Sequence, residues 1–250
     1  MPAFSSIVTA LFRPAKGVDG AGAAIKWLWV PLAILLVVSV VGKAIVASPM
    51  QAAVQQEVAQ ATIQQQMKDL PKEEQATFEQ QMATGGELDT AMNIASTAAI
   101  VFGVVGALVA ILYVGTFFFV AAKTWANPVK FTSMLSVASL MFVPHAIRNI
   151  IQAIYMSSTG IWLQHAGLGA LVSPKDPMTP PSAAYAVLSQ IDLWVVWGLF
   201  ILFGALLSTT IGFQKKRALT AMAAFIVITG LAQAVPTVVS GVFMGAAGGM

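Results

Sequence analysis

The chain has 250 residues, of which 58% are hydrophobic and only 9% carry charge, with a formal net charge of +3. Soluble globular domains contain about 25% charged residues, so this composition excludes a water-facing surface and indicates a membrane protein. The basic residues sit at the ends of apolar runs, so we interpret them as topology signals and predict no nucleic-acid binding. The absence of cysteine excludes disulfides, thiolate metal sites and thiol catalysis.

Residues 1–25 are predicted to form a cytoplasmic amphipathic segment. Its large apolar residues share one helical face, spaced i, i+3, i+4, i+7 and i+8: Phe4, Ile7, Val8, Leu11 and Phe12. Pro14 is expected to end this helix, and the Gly/Ala-rich residues 17–24 predict a loose connection. Two interpretations stay open, a helix on an anionic membrane surface and a helix packed against the protein's own membrane domain.

Five apolar segments follow, each long enough to cross a hydrocarbon layer of about 30 Å at about 1.5 Å per residue. The sequence therefore predicts that residues 26–250 form an all-α, polytopic bundle of five transmembrane helices. The predicted spans cover approximately residues 26–48, 93–122, 131–155, 183–213 and 218–243.

Residues 49–90, between the first two spans, are rich in Gln and Glu. Ser48 and Pro49 have the residue types of a helix cap and first helical position, and acidic residues after Asp69 suggest a second helix start. We predict an extracytoplasmic helical insertion, either a hairpin or a bent helix. It is interpreted as a solvated cap or as a docking surface for a partner.

The basic residues divide unequally between the two sides of such a bundle. Eight fall on the side of the amino terminus: Arg13, Lys16, Lys26, Lys123, Lys130, Lys215, Lys216 and Arg217. Three fall on the other side: Lys68, Lys72 and Lys175. Because cytoplasmic loops carry the excess of Lys and Arg, we expect a cytoplasmic amino terminus and an extracytoplasmic carboxyl terminus, with Lys215, Lys216 and Arg217 as topology anchors.

Ionisable residues within the predicted spans form a candidate polar cluster: Lys43, His145, Arg148 and Asp192. Arg148 and Asp192 each lie about 10 Å below the outer boundary, so a bidentate ion pair is expected. The pair is interpreted as a structural lock on helix register or as a polar site for a proton, ion or headgroup. No catalytic motif, metal-ligand spacing or cofactor motif is present in the sequence, so no enzyme activity and no cofactor are predicted.

Four short stretches and the order of the spans resemble the Yip1-domain membrane proteins, in particular their bacterial branch. The stretches are FSSIVTALFRPAKGVD at 4–19, NPVKF at 127–131, VPHAIRNII at 143–151 and SQIDLWVVWG at 189–198, the last followed by a basic turn after Gln214. The resemblance implies a five-span helical protein with a cytoplasmic amino terminus, here in the bacterial inner membrane. It supplies no catalytic residues.

The function expected from this resemblance is non-enzymatic. Some bacterial relatives look like accessory proteins of ABC-type exporters, so we expect an accessory or scaffold subunit that binds other membrane proteins, such as an exporter, or lipids, or further copies of itself. The alternative is a small transporter or channel that uses the polar region around Arg148 and Asp192.

Overall fold

The computed structural model describes residues 2–69, 86–163, 167–172, 188 and 192–247, and the regular structure in these residues is helical throughout. The α-helices are α1 (Pro2–Phe12), α2 (Pro14–Ala21), α3 (Ile25–Asp69), α4 (Gly86–Trp125), α5 (Phe131–Met141), α6 (Val143–Thr159), α7 (Leu193–Leu206) and α8 (Lys215–Ala247). Short 3-10 helices occupy Gly22–Ala24 and Gly167–Leu171. The predicted all-α class is confirmed for the described residues.

The amino-terminal segment is an antiparallel hairpin of α1 and α2. Pro14 occupies the first turn of α2, where a missing N–H costs least. A Cβ added at Gly17 would lie 2.4 Å from the backbone nitrogen of Ala10, so glycine allows the two helices to touch. The predicted loose connection over 17–24 is therefore wrong, because the small residues serve close packing rather than flexibility.

This hairpin packs against α7, with Ala10 and Val18 each only 1% exposed. Of the two interpretations of α1, the structure therefore shows packing against the protein's own helices. Val8 and Phe12 remain 43% and 68% exposed, with the Phe12 ring 6.0 Å from the Trp197 ring of α7.

Helix α3 continues from Ile25 to Asp69 with Pro31 and Pro49 inside it. The predicted helix start at Ser48 and Pro49 is wrong. A proline removes a single backbone donor, while the following Gln- and Ala-rich residues are good helix formers that extend the helix. Residues 49–69 are helical as expected, and the predicted second helix of the insertion falls largely on 70–85, outside the described residues.

Helix α5 lies at the centre of the bundle, in contact with α3, α4 and α7. Every residue from Ser133 to Met141 is buried. The Ser136 hydroxyl accepts a hydrogen bond from the Trp29 backbone N–H at 3.0 Å and donates one to the Ile25 carbonyl. This hydroxyl lies between a donor and an acceptor of the α3 backbone, so it joins α3 to α5 by hydrogen bonds within the bundle interior.

The long helices alternate in direction. Ser136 in the middle of α5 contacts the start of α3, and the Asn149 amide of α6 donates to Ser39 further along α3, so α3 runs parallel to α5 and α6. Helix α4 runs the opposite way, because Phe119 contacts Phe131 at the start of α5.

Helices α7 and α8 continue this alternation. Gly198 of α7 approaches the Met141 carbonyl at the end of α5, where an added Cβ would be 2.5 Å away. The ring of Phe225 on α8 meets that of Phe117 on α4 edge to face, and the hydroxyls of Thr229 and Tyr113 are 3.4 Å apart. Helix α8 is therefore antiparallel to α4.

Helix α7 is shorter than predicted, with 14 residues or about 21 Å of helix. Asp192 precedes it in extended conformation, and turns replace the helix after Leu206, including Gly212 at φ +81°. The prediction of one helix over 183–213 is wrong at 192, where the Asp192 carboxylate caps the start of α7, and at 207–213, where the chain leaves the helix at Leu207 and turns. Except for Leu188, residues 183–191 lie outside the described residues.

Three helical stretches among the described residues are long and apolar enough to cross a membrane: Pro14–Val58, Thr97–Trp125 and Phe131–Thr159. They contain most of the first three predicted spans. Helix α7 is a shorter apolar helix.

Candidate functional site

The Arg148–Asp192 ion pair is the centre of the polar cluster. Nη1 of Arg148 lies 2.6 Å from Oδ2 of Asp192, and the two side chains are 16% and 6% exposed. Oδ1 of Asp192 accepts a hydrogen bond from the Val195 backbone N–H at 2.8 Å. The expected bidentate geometry is not observed, because the second carboxylate oxygen caps α7. One carboxylate therefore both starts α7 and ties it to α6.

His145 lies one turn from Arg148 but does not join the pair. Its ring contacts Phe142 at a centroid distance of 5.7 Å, and its Nδ1 is buried without a hydrogen-bond partner. An unbonded buried nitrogen is costly in a protein interior and costlier in lipid. The histidine is thus held by packing, with hydrogen-bonding capacity left over.

Gln152 was not singled out from the sequence, yet its Oε1 is also buried without a partner. His145, Arg148 and Gln152 follow one another at intervals of three and four residues along α6, which places them on one face. Asn149, beside them, donates to Ser39 Oγ at 3.3 Å. The i, i+3, i+7 spacing of polar residues in an apolar span was the signal that could have identified Gln152.

Lys43 lies on α3, close enough to Arg148 for the two positive charges to repel each other, but it is not part of the ion pair. It lines a groove of about 250 Å³ between α3 and α6 together with Ser39 and Ile150. Within the described residues no carboxylate lies within 4 Å of its ammonium. The four predicted residues therefore occupy one half of the bundle, but only Arg148 and Asp192 pair directly.

A second polar cluster, which sequence analysis missed, joins α2 to the turn after α7. The Asp19 carboxylate accepts bonds from the Thr210 backbone N–H at 3.0 Å and hydroxyl at 2.9 Å. It also accepts from the Thr209 hydroxyl at 2.9 Å and backbone N–H at 3.3 Å. Both threonines fall within the predicted fourth span, but the structure places them in a turn whose donors the carboxylate satisfies.

The predicted topology anchors lie at the same end of the bundle as this cluster. Lys215, Lys216 and Arg217 are exposed at the start of α8, and Arg217 Nη1 donates to the Trp125 carbonyl at 3.5 Å. The Asn127 amide donates to the Thr209 carbonyl at 3.3 Å. The α4–α5 and α7–α8 connections and α2 therefore form one basic end.

Neither cluster has the composition of a metal centre: in the part of the chain that the structure describes, no group of three or more His, Cys, Asp or Glu side chains could hold an ion. The cluster around Arg148 and Asp192 contains their ion pair and two buried atoms without hydrogen-bond partners, His145 Nδ1 and Gln152 Oε1. The Lys43 ammonium has no ion-pair partner among the described residues. Such groups can bind water, a proton or an anionic headgroup.

Comparison with curated proteins and with solved structures finds no match. Comparison with family models finds the Yip1 domain over residues 8–235. The match runs from within α1 into α8 and includes both polar clusters. The chain belongs to the Yip1 domain family of membrane proteins.

Proposed function

We propose that this protein is a non-enzymatic accessory or scaffold subunit of the membrane, which binds other membrane proteins, lipids or further copies of itself. An ABC-type exporter is one candidate partner. The observation that supports the proposal is the uneven coverage of the helices. In the apolar window of Thr97–Trp125 only 17% of residues are buried within the chain, against 61% for Phe131–Thr159.

The exposed face of α4 is large and apolar. Phe102 is 75% exposed, and Val105 and Val109 are 50% and 56% exposed. A face of this kind contacts either lipid chains or another helix, and close helix approach in lipid uses small residues at the contact. Gly106 lies on this stretch, and an added Cβ there would meet nothing within 4 Å. The face can therefore accommodate a second helix.

Photo-crosslinking in native membranes tests this proposal. A photoreactive amino acid at Phe102 is expected to give a discrete protein adduct, which mass spectrometry then identifies. The matched control is Phe118, which is 1% exposed and should give none. If Phe102 yields only lipid adducts, and the protein purifies from mild detergent as a lone monomer, the scaffold role is wrong.

The proposal includes a topology of five passes in the bacterial inner membrane, with a cytoplasmic amino terminus. It is supported by the alternating directions of α3, α4, α5–α6, α7 and α8, and by the shared basic end. Because the chain lacks cysteine, single cysteines can be labelled cleanly with a membrane-impermeant maleimide. Cysteine at Lys215 should react only after the cytoplasmic side is opened, and cysteine at Gln51 in intact cells. Labelling of both from one side would overturn this topology.

A second candidate function, a small transporter or channel, is favoured by one observation. His145 Nδ1 and Gln152 Oε1 flank the ion pair without partners, and polar atoms of this kind are usual along proton or ion paths. The α3–α6 groove, however, is lined by neither Arg148 nor Asp192. Flux assays in proteoliposomes would decide: a proton or ion flux lost in Asp192→Asn supports transport, and no flux in the wild type removes it.

A further inference from the structure

The groove between α3 and α6 has the shape and lining of a site for a hydrocarbon chain. Its lining includes three small residues, Ser39, Gly42 and Ala153. Its rims include Val38 and Ile154, which are 62% and 63% exposed. A Cβ added at Gly42 would meet nothing within 4 Å, so there is open space beside this residue. Because the long helices are expected to be surrounded by lipid, the acyl chain of a neighbouring lipid can occupy the groove.

One end of the groove is basic. Lys43 is the last groove residue along α3, and it lies toward the end of the bundle opposite the basic end. Asp192, which faces this half from α7, is already bonded to Arg148 and to the Val195 N–H. Among the residues that the structure describes, Lys43, Arg148 and Asp192 therefore carry one positive charge that no carboxylate neutralises by a direct ion pair.

An unpaired cation below the headgroups is unfavourable in a bilayer. The four-carbon stem of a lysine lies along apolar surface and lets the ammonium reach the level of the phosphates. An anionic headgroup at that level would neutralise Lys43 while its acyl chain fills the groove. A headgroup of net zero charge carries its own cation, which competes with the lysine for the phosphate.

We propose that the α3–α6 groove is a binding site for one anionic glycerophospholipid, with the phosphate on Lys43 and an acyl chain against Gly42. The inference rests on the proposed function only in taking the bundle to be a lipid-embedded one. It does not require a protein partner.

The test uses the full-length protein in nanodiscs of phosphatidylcholine with about one fifth phosphatidylglycerol, transferred to mild detergent for native mass spectrometry of retained lipid. Two variants alter the site differently: Lys43→Gln removes the charge, and Gly42→Leu fills the open space in the groove. Their controls are Lys123→Gln at the basic end and Gly230→Leu on α8, another glycine with open space around it. Lys43→Arg keeps the charge.

The wild type is expected to retain phosphatidylglycerol at least fivefold over phosphatidylcholine. Lys43→Gln should abolish that preference, Gly42→Leu should lower retention of both lipids, and Lys43→Arg and the two controls should behave as the wild type. Equal retention of the two lipids by the wild type, or an unchanged preference in Lys43→Gln, overturns the proposal.

Crosslinking at Phe102, run in parallel, separates this proposal from the scaffold role. Loss of protein adducts with lipid selectivity intact removes only the scaffold role. Protein adducts without lipid selectivity remove only the lipid site.

Discussion

The two polar clusters of the bundle differ in how completely their atoms are bonded. At the basic end, both oxygens of Asp19 accept hydrogen bonds from Thr209 and Thr210. In the opposite half, the Arg148–Asp192 pair lies near two buried atoms without partners, on His145 and Gln152. A fully bonded network fixes helices in place, whereas unbonded polar atoms in lipid are expected where water or a ligand binds.

The largest expected effect comes from Asp192→Ala. The change leaves Arg148 as an unpaired charge and removes the cap of α7, so the free energy of unfolding should fall by about 3–5 kcal/mol. We expect a strong drop in membrane abundance and in the detergent melting temperature. Protein crosslinking at Phe102, counted per remaining molecule, should change little.

Asp192→Asn separates the two roles of this side chain, because asparagine caps helices as well as aspartate does but carries no charge to form an ion pair with Arg148. It should recover part of the stability lost in Asp192→Ala. If Asp192→Ala instead kept normal abundance but lost partner crosslinking or flux in proteoliposomes, the Arg148–Asp192 pair would have a functional role rather than a structural one.

A smaller, local effect is expected from Asp19→Ala at the basic end. Losing the charged acceptor should weaken docking of the α1–α2 hairpin by about 1–2 kcal/mol. Cysteine at Val18 of α2, which is 1% exposed, reports that docking through its rate of maleimide labelling. The rate should rise roughly 5- to 30-fold with Asp19→Ala.

Thr220→Ala is the matched control for that measurement, since the Thr220 hydroxyl donates only within α8, to the Lys216 carbonyl. It should leave labelling at position 18 unchanged. An Asp19→Ala protein as protected as the wild type would show that α1 and α2 are held by apolar packing alone.

The smallest effect on stability is expected from Gln152→Met. Since Oε1 of Gln152 has no partner, a side chain of similar length without that atom should change the free energy of unfolding by less than about 0.5 kcal/mol, or raise it. Thermal melts measure this directly. A loss comparable to that of Asp19→Ala would mean that the amide oxygen is bonded in the membrane, and the contrast between the clusters would disappear.

Much of the fold was predictable because periodicity and span length constrain helices in lipid strongly. Equal depths along the predicted spans also brought Arg148 and Asp192 together correctly. The same evidence could not reveal that Asp192 would start α7 rather than lie inside a longer helix, since the residues on either side are apolar. A cap is decided by backbone geometry, and the apolar composition of 183–213 concealed it.

The contact between Asp19 and the two threonines was missed for a related reason. Thr209 and Thr210 were placed inside a predicted span, where hydroxyls usually bond the preceding turn. Gly17 was taken as part of a flexible connection, whereas it lies against Ala10 in a tight hairpin. Neighbours distant in sequence decided both outcomes, and local pattern carries no information about them.

The bond from Asp19 to Thr209 and Thr210 joins residues that are 190 and 191 positions apart. During translation at about 5–20 residues per second, the hairpin waits roughly 10–40 s before its docking surface exists. The hairpin therefore leaves the ribosome long before its packing is complete, and a nascent chain arrested before α7 presents Val18 uncovered to the insertion machinery and its chaperones.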